Sequence, residues 1–312
     1  MTLVSFHELM EAAGRDSYAV GYFESWNLES LLAVADAAER TRSPVILGFS
    51  GIYLPHPARL VREPLSTYAA MGLDVCHHIS VPCCLLFNES PVLDWVLRSV
   101  DLGFNVVMYA DEKASTDELV EPVRQTVAYA HRYGAAVEAE MASVPGLSGG
   151  LEHTADAEGA PLREDASLRE GALTDPYAAA AFVEQTGIDA LAISIGQVHL
   201  HGRKQVALDL GRLAELRHAV SVPLVLHGAT SVRREDLARA AMLGMRKINV
   251  GSVIKRSYFE ALRTEANAAG DHYTPYDIIG SGFASDVLTA GRVAMQAVVE
   301  DLMHVFGSAG KA

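Results

Sequence analysis

Two apolar runs in this chain end in histidine, and that pairing constrains the fold more than any other feature. They are Leu191-Ala192-Ile193-Ser194-Ile195-Gly196-Gln197-Val198-His199 and Val222-Pro223-Leu224-Val225-Leu226-His227-Gly228. Neither shows a strict polar–apolar alternation, so each suits a parallel strand buried on both faces that delivers an imidazole at its carboxyl end. A third run, Lys247-Ile248-Asn249-Val250-Gly251-Ser252, ends in polar and small residues. Consecutive strands with functional groups at their carboxyl ends build the active-site mouth of a (β/α) barrel. One histidine at a strand end is ordinarily just hydrogen-bonded there; two in equivalent positions point to ligands.

The rest of the chain alternates strand and helix. Ser5 and Glu8 stand at capping-box spacing and open a short helix. Strands are expected at 18–23, 45–50, 81–87, 104–108, 135–140, 188–195, 224–227 and 247–250. Helical spacing recurs at 28–40, 94–97, 116–133, 177–185 and 231–243, and an amphipathic helix at 286–305 closes the chain. The stretch from Gly51 to Pro64, with Pro55 and Pro57, reads as a long loop. From Met141 to Gly171 no period is present, yet alternation resumes at once beyond it. A long irregular stretch inside one core is more often a binding loop than a linker, so 141–171 is expected to be a mobile lid. The expectation is a single domain over residues 1–312: a (β/α)8 barrel with a lid loop after strand 5 and an extra C-terminal helix. An open doubly wound sheet competes, but no Gly-x-Gly-x-x-Gly follows the first strand.

Composition narrows the partners. Half of the 312 residues are apolar and 7% aromatic, which suits a barrel filled with aliphatic side chains. A net charge of −14 disfavours nucleic acid and membrane surfaces, although local donors can still hold a small anion. Cys76, Cys83 and Cys84 lack metal-clasping spacing and read as buried thiols in a reducing compartment. Met1 to Glu11 has no signal-peptide pattern, and no apolar run is long enough to span a bilayer, so a cytoplasmic location is expected.

The segments at 18–29, 43–50, 103–108 and 137–140, with Thr174-Asp175-Pro176, 188–199, Leu208-Asp209, 223–228 and 247–250, carry a resemblance. The chain resembles the class II, metal-dependent fructose- and tagatose-bisphosphate aldolases over nearly its full length. The resemblance implies a TIM barrel, a homodimer or homotetramer, a divalent metal (Zn2+ first, Mn2+ or Fe2+ as alternatives) and a ketose phosphate as substrate. Aldol cleavage leaves an enediolate whose charge such a metal stabilises as a Lewis acid, and a base must take a hydroxyl proton. The metal ligands implied are Glu89, His199 and His227, with His201 as the alternative to His199. Substrate contacts are implied for Ser50, Arg203, Gly228, Thr230, Asn249 and Ser252. Glu152 falls on the lid carboxylate that handles the carbon-bound proton.

The sequence departs from the family pattern at defined places. Family members end strand three with His-x-Asp-His-Gly; here Leu86-Phe87-Asn88-Glu89-Ser90 stands there. Glu89 replaces a histidine ligand, and Asn88 replaces the aspartate base with an amide that cannot accept a proton at neutral pH. Glu24 replaces an asparagine after strand one and is the candidate for a relocated base, or for a partner of a substrate cation or a neighbouring Arg. The leading expectation is an aldolase-like lyase on a phosphorylated ketose. The alternatives are an epimerase or isomerase on the same scaffold, and a non-catalytic paralogue that binds a sugar phosphate.

Overall fold

A computed structural model of the chain describes residues 2–141, 173–197 and 205–312. Eight parallel strands close into a barrel in sequence order. They are β1 (Val20–Phe23), β2 (Val45–Ser50), β3 (Cys83–Ser90), β4 (Val106–Tyr109), β5 (Ala136–Glu140), β6 (Ala190–Ile193), β7 (Leu224–Leu226) and β8 (Met245–Val250). Closure is made by β8, whose Lys247 to Val250 pair with Val20 to Phe23 of β1.

Strand periodicity sorts the side chains into two populations. Val20, Tyr22, Ile46, Cys84, Leu86, Val106, Ala136, Ala190, Ala192 and Val225 fill the barrel interior. The intervening residues, such as Leu47, Leu85, Phe87, Val107, Leu191 and Leu226, face the surrounding helices. At the carboxyl ends the interior positions become Glu24, Ser50, Asn88, Glu140, His227 and Asn249, so the same alternation that builds the core aims polar groups into the mouth.

The helices in chain order are α1 (Phe6–Arg15), α2 (Leu28–Thr41), α3 (Leu65–His78), α4 (Leu93–Asp101), α5 (Thr116–Ala130), α6 (Pro176–Thr186), α7 (Leu210–Ala219), α8 (Arg234–Leu243), α9 (Ser252–Ala269), α10 (Pro275–Ile278) and α11 (Val287–Val305). The expected capping box forms: Ser5 accepts from the Glu8 amide while the Glu8 carboxylate takes the Ser5 amide. Asp286 caps α11, which packs between α2 and α9, and Arg292 on α11 pairs with Asp36 on α2 at 2.5 Å. The Pro-bearing stretch after β2 is a loop as expected, and α3 starts directly after Pro64. Helices α3, α7, α9 and the short α10 were not among the expectations. The expected lid, with Glu152, lies outside the described residues apart from Met141, and so do His199, His201 and Arg203. Among the described residues, no helix is long and apolar enough to cross a membrane.

Candidate metal centre

Glu89 reaches the mouth by a break in strand geometry. Along β3 the even positions Cys84, Leu86 and Asn88 face the interior, so regular pleating would send Glu89 outward with Leu85 and Phe87. Instead its φ is 52°, and the register with β4 shifts between Phe87 and Ser90. A left-handed non-glycine residue is uncommon, and such conformations persist where surrounding contacts over-determine them. Here a bulge re-aims a carboxylate toward β7.

That carboxylate meets His227. Glu89 Oε1 lies 3.1 Å from His227 Nδ1, and Glu140 Oε2, from the end of β5, lies 3.9 Å from the same nitrogen. Among the described residues, Glu89, Glu140 and His227 form a group whose ligand atoms all lie within 4.8 Å of one another. Two carboxylate oxygens and an imidazole nitrogen are a donor set that zinc, manganese and ferrous iron accept. Glu89 and Glu140 also crowd like charges at one spot, which a divalent cation would relieve. Burial, helped by Glu89 and Glu138 and opposed by His227, pushes the Glu140 carboxyl up to about 7. The residues present therefore fit a divalent metal.

The other ring nitrogen of His227 faces a buried polar layer. Nε2 lies 2.8 Å from Glu138 Oε1 and 2.8 Å from the Asn249 amide nitrogen. Glu138 Oε2 lies 2.7 Å from Lys247 Nζ, and both side chains are 0% exposed. Lys247 also donates to Asn249 Oδ1 at 2.5 Å and sits over the Tyr22 ring at 5.1 Å. A carboxylate on one imidazole nitrogen fixes the ring so that the other is presented to a cation. Burial opposes charge on both partners, yet Lys247 and His227 hold the Glu138 carboxyl down to about 2. Burial likewise disfavours the imidazolium, but Glu89, Glu138 and Glu140 outweigh it and hold His227 up to about 10.

Lys247 is thus the internal counter-ion of the layer. Lys247→Met should cost roughly 3–5 kcal/mol, because Glu138 would remain buried with half of its compensation gone. Urea denaturation at neutral pH measures this. The Glu138 carboxyl is lower in the folded protein than its usual 4.5, so its stabilisation is complete above that value and is lost as pH falls toward about 2. At pH 7 the full penalty is expected.

The other expected site residues stand as follows. The Asn88 side-chain amide donates to Glu89 Oε2 at 2.5 Å, so it braces a carboxylate. Ser50 is buried beside Asn88 at the end of β2. Gly228 takes φ 67°, a left-handed turn that directs the chain from β7 into a short 3-10 segment, Ala229–Ser231. Thr230 Oγ1 accepts from the Val253 amide at 3.3 Å, tying that turn to the start of α9, where Ser252 stands. Asn249, expected at a substrate hydroxyl, is engaged with Lys247 and His227. Glu24 is ion-paired: Lys255 Nζ, on the first turn of α9, lies 2.6 Å from its Oε1. Burial raises the Glu24 carboxyl and Lys255 opposes the rise, with burial the larger effect.

Sequence reasoning assigned no role to Glu138, Lys247 or Lys255. A signal existed for the first two. Glu138 precedes Glu140, and Lys247 precedes Asn249, by two residues inside otherwise apolar strands, so each shares its neighbour's inward face.

The family model for class II fructose-bisphosphate aldolases matches residues 4–311 of this sequence. The chain belongs to that family. The fructose-bisphosphate aldolase of Geobacillus stearothermophilus is 34% identical over 315 residues, covering 100% of this chain and 99% of that one. Among solved structures, the YdjI aldolase of Escherichia coli K12 superposes with a TM-score of 0.76 at 25% identity, covering 99% of each chain. The fructose-bisphosphate aldolase of Campylobacter jejuni, at 18% identity and a TM-score of 0.76, covers 99% of this chain and 97% of its own and supports the fold. The aldolase family is generally dependent on a divalent metal, and in this member the candidate metal cluster draws on β3, β5 and β7.

Proposed function

We propose that this class II aldolase homologue catalyses the reversible aldol cleavage of a phosphorylated ketose with a bound divalent metal, Zn2+ first and Mn2+ or Fe2+ as alternatives. The observation that carries the reading is the convergence of Glu89, Glu140 and His227 at the barrel mouth. These three, with His199, would hold the metal, which when bound polarises the ketose carbonyl as a Lewis acid. Glu138 orients the His227 ring from behind, and Asn88 orients Glu89. The turn at Gly228 and Thr230, the start of α9 at Ser252, and Arg203 would bind the substrate phosphate through backbone and side-chain donors. Ser50 would contact the substrate from β2. Glu24 would take the hydroxyl proton released during cleavage, and Glu152 would return a proton to carbon. The same reading places the protein in the cytoplasm as a homodimer or homotetramer.

One observation favours a second reading. Asn88 occupies the family's base position and spends its amide on Glu89, so an epimerase or isomerase that needs no base there is the alternative. Product analysis decides between the two. Metal-loaded protein incubated with a ketose 1-phosphate should yield two smaller fragments, one of them dihydroxyacetone phosphate, and a chelator should stop the reaction. An isomeric sugar phosphate of unchanged carbon number would replace the lyase reading with the isomerase.

A further inference from the structure

The corner of the mouth shared by β1, β2 and β8 holds a charge pair on aromatic rings. Lys255 Nζ lies 2.6 Å from Glu24 Oε1, 4.7 Å from the centre of the Tyr53 ring and 5.7 Å from that of Trp26. Trp26 is braced edge-on by Tyr258 at 5.4 Å, whereas Tyr53 is 40% exposed. The Glu24 and Lys255 side chains are 16% and 36% exposed, so the pair is reachable from solvent. Room for the carboxylate comes from Gly251: a Cβ there would stand 2.8 Å from Glu24 Oε2.

Charge decides what such a corner can bind. A phosphate brings nearly two negative charges and needs unmatched donors. Lys255 is already matched by Glu24 at 2.6 Å, so it offers a phosphate no uncompensated charge. A chain of neutral hydroxyls has no such conflict, because the carboxylate accepts from one hydroxyl and the ammonium donates to the next. The aromatic faces cover the intervening carbons.

We propose that Glu24, Lys255, Tyr53 and Trp26 form a net-neutral subsite for the uncharged, hydroxylated end of the substrate, so that the released aldehyde carries no phosphate. This rests on the aldolase reading and narrows it to ketose monophosphates. It uses the net charge of the pair rather than proton transfer, and binding alone tests it. Hexitol 1-phosphate and hexitol 1,6-bisphosphate lack the carbonyl and are not cleaved, so both can be titrated calorimetrically into the metal-loaded full-length protein, beside dihydroxyacetone phosphate.

The monophosphate is expected to bind about tenfold more tightly than the bisphosphate. Glu24→Gln should move that ratio about tenfold toward the bisphosphate, and Lys255→Gln about tenfold the other way, because each removes one sign of charge from the corner. Opposite shifts separate a charge effect from general damage, which would weaken both ligands alike. Dihydroxyacetone phosphate binding with the bisphosphate preferred, or both variants moving the ratio together or not at all, overturns the subsite and leaves the aldolase reading standing. Failure of all three ligands to bind overturns the aldolase reading and the subsite with it.

Discussion

His227→Ala is expected to strip the divalent metal and abolish cleavage while leaving the barrel folded. His227 is the one imidazole in the candidate cluster among the described residues, and its Nδ1 faces both Glu89 and Glu140. Changes to a ligand's supporting partners alone cost about 10–100-fold in metal affinity, so loss of the ligand itself should exceed about 100-fold. The fold should tolerate the change because Glu138 keeps Lys247 at 2.7 Å, and the interior layers below, such as Tyr22, Ile46 and Leu86, are untouched. Elemental analysis after gel filtration, with circular dichroism on the same sample, measures both halves. Full metal content in the folded variant would remove His227 from the ligand set.

Glu24→Gln is expected to lower turnover by roughly 10²–10⁴-fold, the usual worth of a general base. Asn88 offers an amide where the family carries an aspartate, so the proton of the reacting hydroxyl needs another acceptor at the mouth. Glu24 ends β1 on the inward face, and its carboxyl is raised by burial against the opposing pull of Lys255. Oε1 is committed to Lys255; Oε2 lies over Gly251 and is the oxygen assigned to the proton. Single-turnover cleavage of a ketose 1-phosphate at saturating substrate measures the chemical step apart from binding. Unchanged turnover in Glu24→Gln would end the base assignment and favour the isomerase reading.

The barrel was legible because the interior of each strand is decided by sequence alone. Val20 and Tyr22, Cys84 and Leu86, and Ala190 and Ala192 alternate with residues that pack against helices, and all eight strands were anticipated, with ends that differ by a few residues. His227 followed from its place two residues beyond Val225 on the inward face. Glu89 was legible as a replacement in the family motif, but its direction was not. Period-two pleating predicts that it faces outward, and only the bulge and the left-handed φ turn it inward. The Lys247–Glu138 pair was hidden for a different reason. Apolar strands do not reveal which of their occasional charges meet across the barrel, since that depends on register: β5 and β8 are not neighbours, and their contact spans the interior. For Glu24 the expected cationic partner was a substrate cation or a neighbouring Arg, and the structure supplies a lysine instead. Lys255 was not legible as that partner because it sits on α9, a helix that had not been anticipated.

Under the proposed function, one divalent metal sits among Glu89, Glu140 and His227 and acts on a ketose phosphate. Anomalous diffraction at the metal edge, from crystals grown with the metal and soaked with a hexitol 1-phosphate, tests it directly. A single strong peak is expected, bounded by carboxylate oxygens of Glu89 and Glu140 and by Nδ1 of His227, with sugar hydroxyls of the hexitol beside it. A peak on Nε2, a peak elsewhere in the barrel, or ordered sugar phosphate with no peak at the cluster would contradict it.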